Sequence, residues 1–318
     1  MFMTKKHRII SIGATALLVS LATAQPTRAD LKVVASIKPI HSLVAGVMEG
    51  DLAPHLIVDG PASPHTFSLR PSSARALERA DVIFWVGRNL EPFLEKSIES
   101  RSGEAAVVTL MEAPNVDPMP FREGAMFEAD IDADDPDGRE NEEEATLDPH
   151  IWLDPARAQM LVRAIAQALT TAAPEHAPLY AANAQRLQAR IEMLSAEIDT
   201  ILSPVRERSF FVFHDGYRYM ERRYGLEAAG SITVSPDVLP SAGRVRDIRD
   251  KIRSLDATCV FSEPQFSPKL VDVVTADTSA KTGVLDPLGV GIPAGPDHYF
   301  TLMRDMAASM RDCLSPNG

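Results

Sequence analysis

Asp148-Pro149-His150-Ile151-Trp152-Leu153-Asp154-Pro155 is the stretch around which the rest of the chain falls into place. It follows a run of acidic residues and precedes the first long helical pattern. Each proline locks its own backbone and pushes the residue before it towards an extended conformation. His150 is therefore carried on a stiff segment with little helical tendency, and Trp152 supplies a large apolar anchor beside it. A mobile surface loop does not need such stiffening. Two readings stand at this point: a buried tryptophan turn with an incidental histidine, or a histidine held for binding.

Upstream, β-branched and apolar runs alternate with helical patterns. Strands are expected at residues 31–35, 55–58, 81–86 and 106–109, and helices at 38–48, 70–79 and 91–99. Downstream, a helix is expected at 155–170 and a much longer one from about residue 174 to 202. In the long one Leu187, Ile191, Leu194, Ile198 and Ile201 recur at spacings of four and three and make one apolar face. Such a helix spans about 40 Å at about 1.5 Å per residue, long enough to brace two lobes. Alternation then resumes, with strands at 210–213, 228–234, 258–262 and 283–285 and helices at 217–224, 244–254, 268–275 and 299–313. The expected fold class is α/β. Two lobes, residues 30–172 and 204–318, each carry a mostly parallel sheet and are bridged by one long rigid helix at 173–203. A single large sheet is the alternative. Residues 115–146 are acidic, lack apolar periodicity and read as a mobile solvated loop. Their acidic spacing does not match a calcium loop.

Residues 1–29 read as a cleaved signal peptide. Lys5, Lys6 and Arg8 precede an apolar run too short to span a bilayer comfortably, and Ala22-Thr23-Ala24 and Thr27-Arg28-Ala29 offer cleavage patterns. Of 32 basic and 44 acidic side chains, removal of this segment takes away four basic ones, leaving 28 against 44 and a formal charge of −16. That argues against nucleic acid and anionic membrane surfaces as partners. The two cysteines, Cys259 and Cys313, in an exported chain read most simply as one disulfide. Neither follows the signal, so no lipid anchor is expected and the product should be free in the periplasm.

Three histidines stand in similar surroundings: His65 in a loop after a predicted strand, His150, and His214 at the carboxyl end of a strand. The carboxyl ends of strands in open α/β sheets are the usual ligand position, so loops of both lobes can converge on one cleft. Asp286 has a similar strand-end place and is the natural fourth partner. Three imidazoles and a carboxylate suit tetrahedral zinc; Mn²⁺ prefers more oxygen. The wide spacing leaves open that these are loop histidines with unrelated roles.

From about residue 31 to its end the chain resembles the zinc-binding subunits of high-affinity zinc-uptake ABC transporters (cluster A-I, Znu-type). The resemblance rests on Ser63-Pro-His-Thr-Phe-Ser-Leu-Arg-Pro-Ser72, Ala80-Asp-Val-Ile-Phe-Trp-Val-Gly87, the stretch around His150, Phe211-Val-Phe-His-Asp-Gly-Tyr217, Ser262-Glu-Pro-Gln-Phe266 and Leu285-Asp-Pro-Leu-Gly289. It implies two lobes joined by a rigid helix with the metal between them, His65, His150 and His214 as ligands, and a disulfide between Cys259 and Cys313. Two departures matter. Pro64 stands where some relatives have a glutamate, which leaves Asp286 or a water as fourth ligand, and the acidic loop carries no histidine.

The function expected is a periplasmic carrier, not an enzyme, that captures Zn²⁺ as cargo and hands it to an ABC transporter permease. A periplasmic metallochaperone is a further possible partner, and a monomer is expected. The alternatives are a manganese carrier of the same superfamily and a zinc hydrolase, although no HExxH helix is present. Glu263, just after a predicted strand, reads either as an acceptor holding a ligand histidine or as half of an ordinary salt bridge. His41, His55, His176 and His298 read as incidental.

Overall fold

Short runs such as Val33-Val-Ala-Ser-Ile37 and Phe210-Phe-Val-Phe-His214 are buried along their whole length, as strands of a parallel sheet covered on both faces must be. In the computed structural model, which describes residues 1, 30–101, 103–122, 147–233, 240–255 and 257–315, they form two sheets. The first contains β1 (Val33–Ile37), β2 (His55–Val58), β3 (Val82–Trp85) and β4 (Ala106–Thr109) in the order β2-β1-β3-β4. The second contains β5 (Phe210–His214), β6 (Ala228–Thr233), β7 (Cys259–Ser262) and β8 (Lys281–Val284) in the order β6-β5-β7-β8. All pairings within them are parallel. No repeat is visible in the residues, yet both sheets use one topology. The expected signal peptide and most of the expected acidic loop lie outside the described residues.

The helices are α1 (Lys38–Val47), α2 (Pro71–Glu78), α3 (Glu95–Glu99), α4 (Pro155–Ala172), α5 (Ala177–Leu202), α6 (Arg218–Tyr224), α7 (Ala242–Ser254), α8 (Lys269–Thr275) and α9 (His298–Leu314). Their starts follow local chemistry. Pro155 opens α4, where a missing N–H costs nothing, and the Asp154 carboxylate caps it by accepting from the Ala156 N–H at 2.9 Å. α6 stops at Gly225, whose φ of 68° is left-handed. Several expected boundaries shift by a few residues. The helix expected at 91–99 begins as a 3-10 turn, Pro92–Leu94, and the long helix as another, Pro174–His176. Pro178 has no N–H to donate to the carbonyl of Pro174, so the α-helical ladder starts at Ala177.

α1 is buried on every side, which marks a central helix rather than a surface one. α5 packs on α1, α4 and α9, and α9 also packs on α1. The long helix therefore bridges the two α/β lobes, and α9 is a second tie. A disulfide joins Cys259 in β7 to Cys313 in the last turn of α9, with Cα atoms 5.9 Å apart. The alternation of β5 is read out directly. Phe210 and Val212 face the large core shared with α5 and α9, while Phe211 and Phe213 face a smaller one with Ile248, Ile252, Val271 and Val274 of α7 and α8. No helix among the described residues is long and apolar enough to cross a membrane.

Candidate metal centre

β5 and β7 are parallel neighbours, so their carboxyl ends lie side by side. β5 ends on His214 and β7 is followed at once by Glu263, and the two side chains meet: Glu263 Oε1 lies 2.6 Å from His214 Nδ1. His150 is delivered by the proline-stiffened segment ahead of α4. Asp148 Oδ1 accepts both the His150 backbone N–H, at 2.9 Å, and its ring Nδ1, at 2.7 Å. Trp152 fixes this segment in depth. It is fully buried, its ring lies 5.3 Å from that of His150, and its Nε1 donates to the carbonyl of Pro287 at 2.9 Å. Tyr299 of α9 donates to the Trp152 carbonyl from the other side. His65 arrives on the loop after β2, where the Ser63 hydroxyl accepts its backbone N–H at 3.3 Å.

The ring nitrogens of His65, His150 and His214 all lie within 4.8 Å of one another. The rings are 5.0 Å apart for His150 and His214, and 5.5 and 5.8 Å from His65 to each of them. They line one cleft, with Trp152, Gln265 and Phe266 among its walls. His150 and His214 are buried, while His65 is partly exposed. Gly216 permits this packing, because a Cβ there would stand 2.7 Å from His214 Nε2 and 3.1 Å from His150 Nε2.

The electrostatics divide the three. Burial and the neighbouring imidazoles hold His65 well below the ordinary histidine range, and burial with His214 does the same to His150. Burial also pulls on His214, but Glu263, Asp215 and Asp148 together raise it above its ordinary value. Burial pushes the Asp148 carboxyl up to about 7. With Nδ1–H given to a carboxylate, each of His150 and His214 presents Nε2 to the cleft, and these two Nε2 atoms are 3.2 Å apart. Two lone pairs facing at that distance repel unless a proton or a cation lies between them. His65 Nε2 is likewise buried, with no hydrogen-bond partner among the described residues. Three imidazole nitrogens aimed at one point are the donor set of a zinc or other borderline transition-metal site.

Asp286 is placed differently. It lies outside the histidine cluster among the described residues. Its Oδ1 accepts from the N–H groups of Leu288 at 3.2 Å and Gly289 at 3.0 Å and from Gln265 Nε2 at 2.8 Å, and its Oδ2 accepts from Val290 N–H at 2.6 Å. An aspartate followed by a proline turn finds these local donors first. Glu263 turns out to hold His214. Asp148 carries a sequence signal of its own: an aspartate two residues before a histidine is a local acceptor for it. Arg122 had no sequence signal. It forks between Asp215 and Glu221, distant in the chain, and balances two buried carboxylates. His41, His176 and His298 bond elsewhere, to the Pro54 carbonyl, Asp51 and the Leu288 carbonyl respectively.

Residues 33–313 match the family described as "Zinc-uptake complex component A periplasmic". The high-affinity zinc uptake system protein ZnuA of Brucella suis biovar 1 (strain 1330) is 46% identical over 305 residues, covering 89% of this chain and 91% of that protein. The fold is that of a solved structure named "Crystal structure of ZnuA" (TM-score 0.75, 24% identity, 90% of this chain and 100% of that one). It is also that of the periplasmic zinc binding protein TroA from Treponema pallidum (TM-score 0.77, 21% identity, 90% and 100%).

Proposed function

The chain belongs to the ZnuA family of periplasmic zinc-uptake components, and on that premise we propose that it captures Zn²⁺ between its lobes and delivers it to the membrane permease of an ABC transporter. His65, His150 and His214 hold the ion in this reading. The observation that carries it is the convergence of their ring nitrogens within 4.8 Å, with two of the rings oriented by buried carboxylates. Zinc is cargo here, and the protein supplies a site and no chemistry. Asp148 and Glu263 are each engaged by an imidazole Nδ1 and so are committed to orientation rather than to activating a water. Nitrogen-rich ligation favours zinc over manganese, which prefers oxygen. Residues 1–29 direct export to the periplasm, and the carrier acts as a monomer.

Zinc titration of the metal-stripped protein against a chelating dye, beside a His65→Ala/His150→Ala/His214→Ala variant, tests this reading. One tight site that the triple variant lacks, and that excess Mn²⁺ does not occupy, is the expected result. Tight zinc binding that survives in the triple variant would place the site elsewhere. Hydrolytic turnover that chelation abolishes and zinc restores would replace the carrier with an enzyme.

A further inference from the structure

The segment after β7 does more than orient His214. Within Ser262-Glu-Pro-Gln-Phe266, Glu263 holds His214. Phe266 stacks on Phe213, with rings 4.8 Å apart and 8° from parallel. Gln265, pinned between them, lines the same cleft as the three histidines. Its Nε2 donates to Asp286 Oδ1 at 2.8 Å. Asp286 also accepts three backbone N–H groups, so both of its oxygens already serve as acceptors in this turn. The carboxamide is therefore forced to turn its nitrogen to Asp286 and its oxygen the other way. That oxygen, Oε1, is buried and has no partner among the described residues, a state that costs free energy unless a ligand or water supplies a donor or cation.

We propose that Gln265 is a specificity-determining residue of the metal site, presenting a neutral amide oxygen to the histidine-bound cation or to a water on it, with Asp286 acting as the residue that orients it. Asp286 thus contributes its charge at one remove. The cation meets three imidazole nitrogens and an uncharged oxygen instead of a carboxylate. Anionic oxygen is what harder divalent ions such as Mn²⁺ need most, so this arrangement tilts the site towards zinc. The inference rests on the three-histidine reading above.

The test uses Gln265→Met, which keeps length and removes both polar atoms, and Gln265→Glu, which makes the oxygen anionic. Both are titrated with Zn²⁺, Mn²⁺ and Co²⁺ beside the wild type and the triple histidine variant, with thermal melts to establish folding. In Gln265→Met, zinc binding is expected to weaken about fivefold or more, the value of one hydrogen bond. The visible bands of the cobalt form are expected to change as the oxygen is lost. In Gln265→Glu, the preference for zinc over manganese is expected to narrow by about tenfold. Wild-type zinc affinity with a wild-type cobalt spectrum in Gln265→Met, or an unchanged zinc-to-manganese preference in Gln265→Glu, would overturn the proposal while leaving the histidine site standing, provided that the triple variant loses zinc. A triple variant that keeps tight zinc would remove both.

Discussion

His150 and His214 differ from His65 in kind. The first two are buried, bonded through Nδ1 to carboxylates that are themselves buried, and locked with Nε2 atoms 3.2 Å apart. His65 is partly exposed, has no carboxylate partner among the described residues and is tethered through one backbone N–H to Ser63. The pair is a floor whose geometry needs no ion to hold it; in the proposed reading, His65 is the arm that completes the site. A site that captures and later releases an ion gains from this division. On the proposed reading, a preorganised pair would supply affinity, and a looser third histidine would limit what must be broken on release.

The widest test of that contrast is single removal of each histidine. His214→Ala and His150→Ala are expected to weaken zinc binding on the order of a thousandfold, and His65→Ala on the order of a hundredfold. Equal losses in a dye-competition titration would erase the distinction. Gly216→Ala attacks the floor without touching a ligand. Its Cβ would fall 2.7 Å from His214 Nε2, and displacing the two rings should cost about ten- to a hundredfold in zinc affinity. An unaffected Gly216→Ala protein would show that the floor is soft.

The pH dependence sharpens the comparison further. His214 alone of the three is raised, since the carboxylates around it outweigh burial. In the metal-free protein its proton is bound more tightly in the folded state than in the unfolded one. That contribution to stability is complete below the unfolded value and disappears as pH rises through the folded one. Zinc must displace this proton, so affinity should be greatest above the raised value and fall about tenfold per pH unit beneath it. His65 and His150, both held well below the ordinary range, add to the fall only at more acidic pH. Glu263→Gln removes the main support of the His214 proton. It should move the fall to lower pH and weaken zinc binding at high pH by about ten- to a hundredfold. Superimposable pH profiles for wild type and variant would contradict this assignment. The smallest effect belongs to the arm. Ser63→Ala, which deletes the 3.3 Å bond to the His65 N–H, should change zinc affinity by less than about fivefold. A larger loss would mean that His65 is as rigidly held as the other two.

The alternation of strands and helices was legible because each element carries its own periodicity. The run Phe210-Phe-Val-Phe-His214 shows apolar side chains for two faces, and the structure places them on two cores. Leu187, Ile191, Leu194 and Ile198 spell out the buried face of α5, while Ile201 lies only half buried at its edge. The three histidines were legible as loop residues at strand ends and as family matches, and their ring nitrogens do converge. Asp286 resembled them in position alone: its carboxylate is taken by its own turn and by Gln265, a competition that strand-end placement cannot reveal.

The sequence by itself determined the α/β class, the long helix, the two cysteines that pair and the three imidazoles, because periodicity, prolines and residue chemistry act locally. Tertiary structure decided that Glu263 serves His214 and which way the Gln265 amide turns. Those contacts join residues far apart in the chain, as in His214 with Glu263 and Arg122 with Asp215. Only the packing of parallel strands and crossing helices brings such groups within the roughly 3 Å at which hydrogen bonds act.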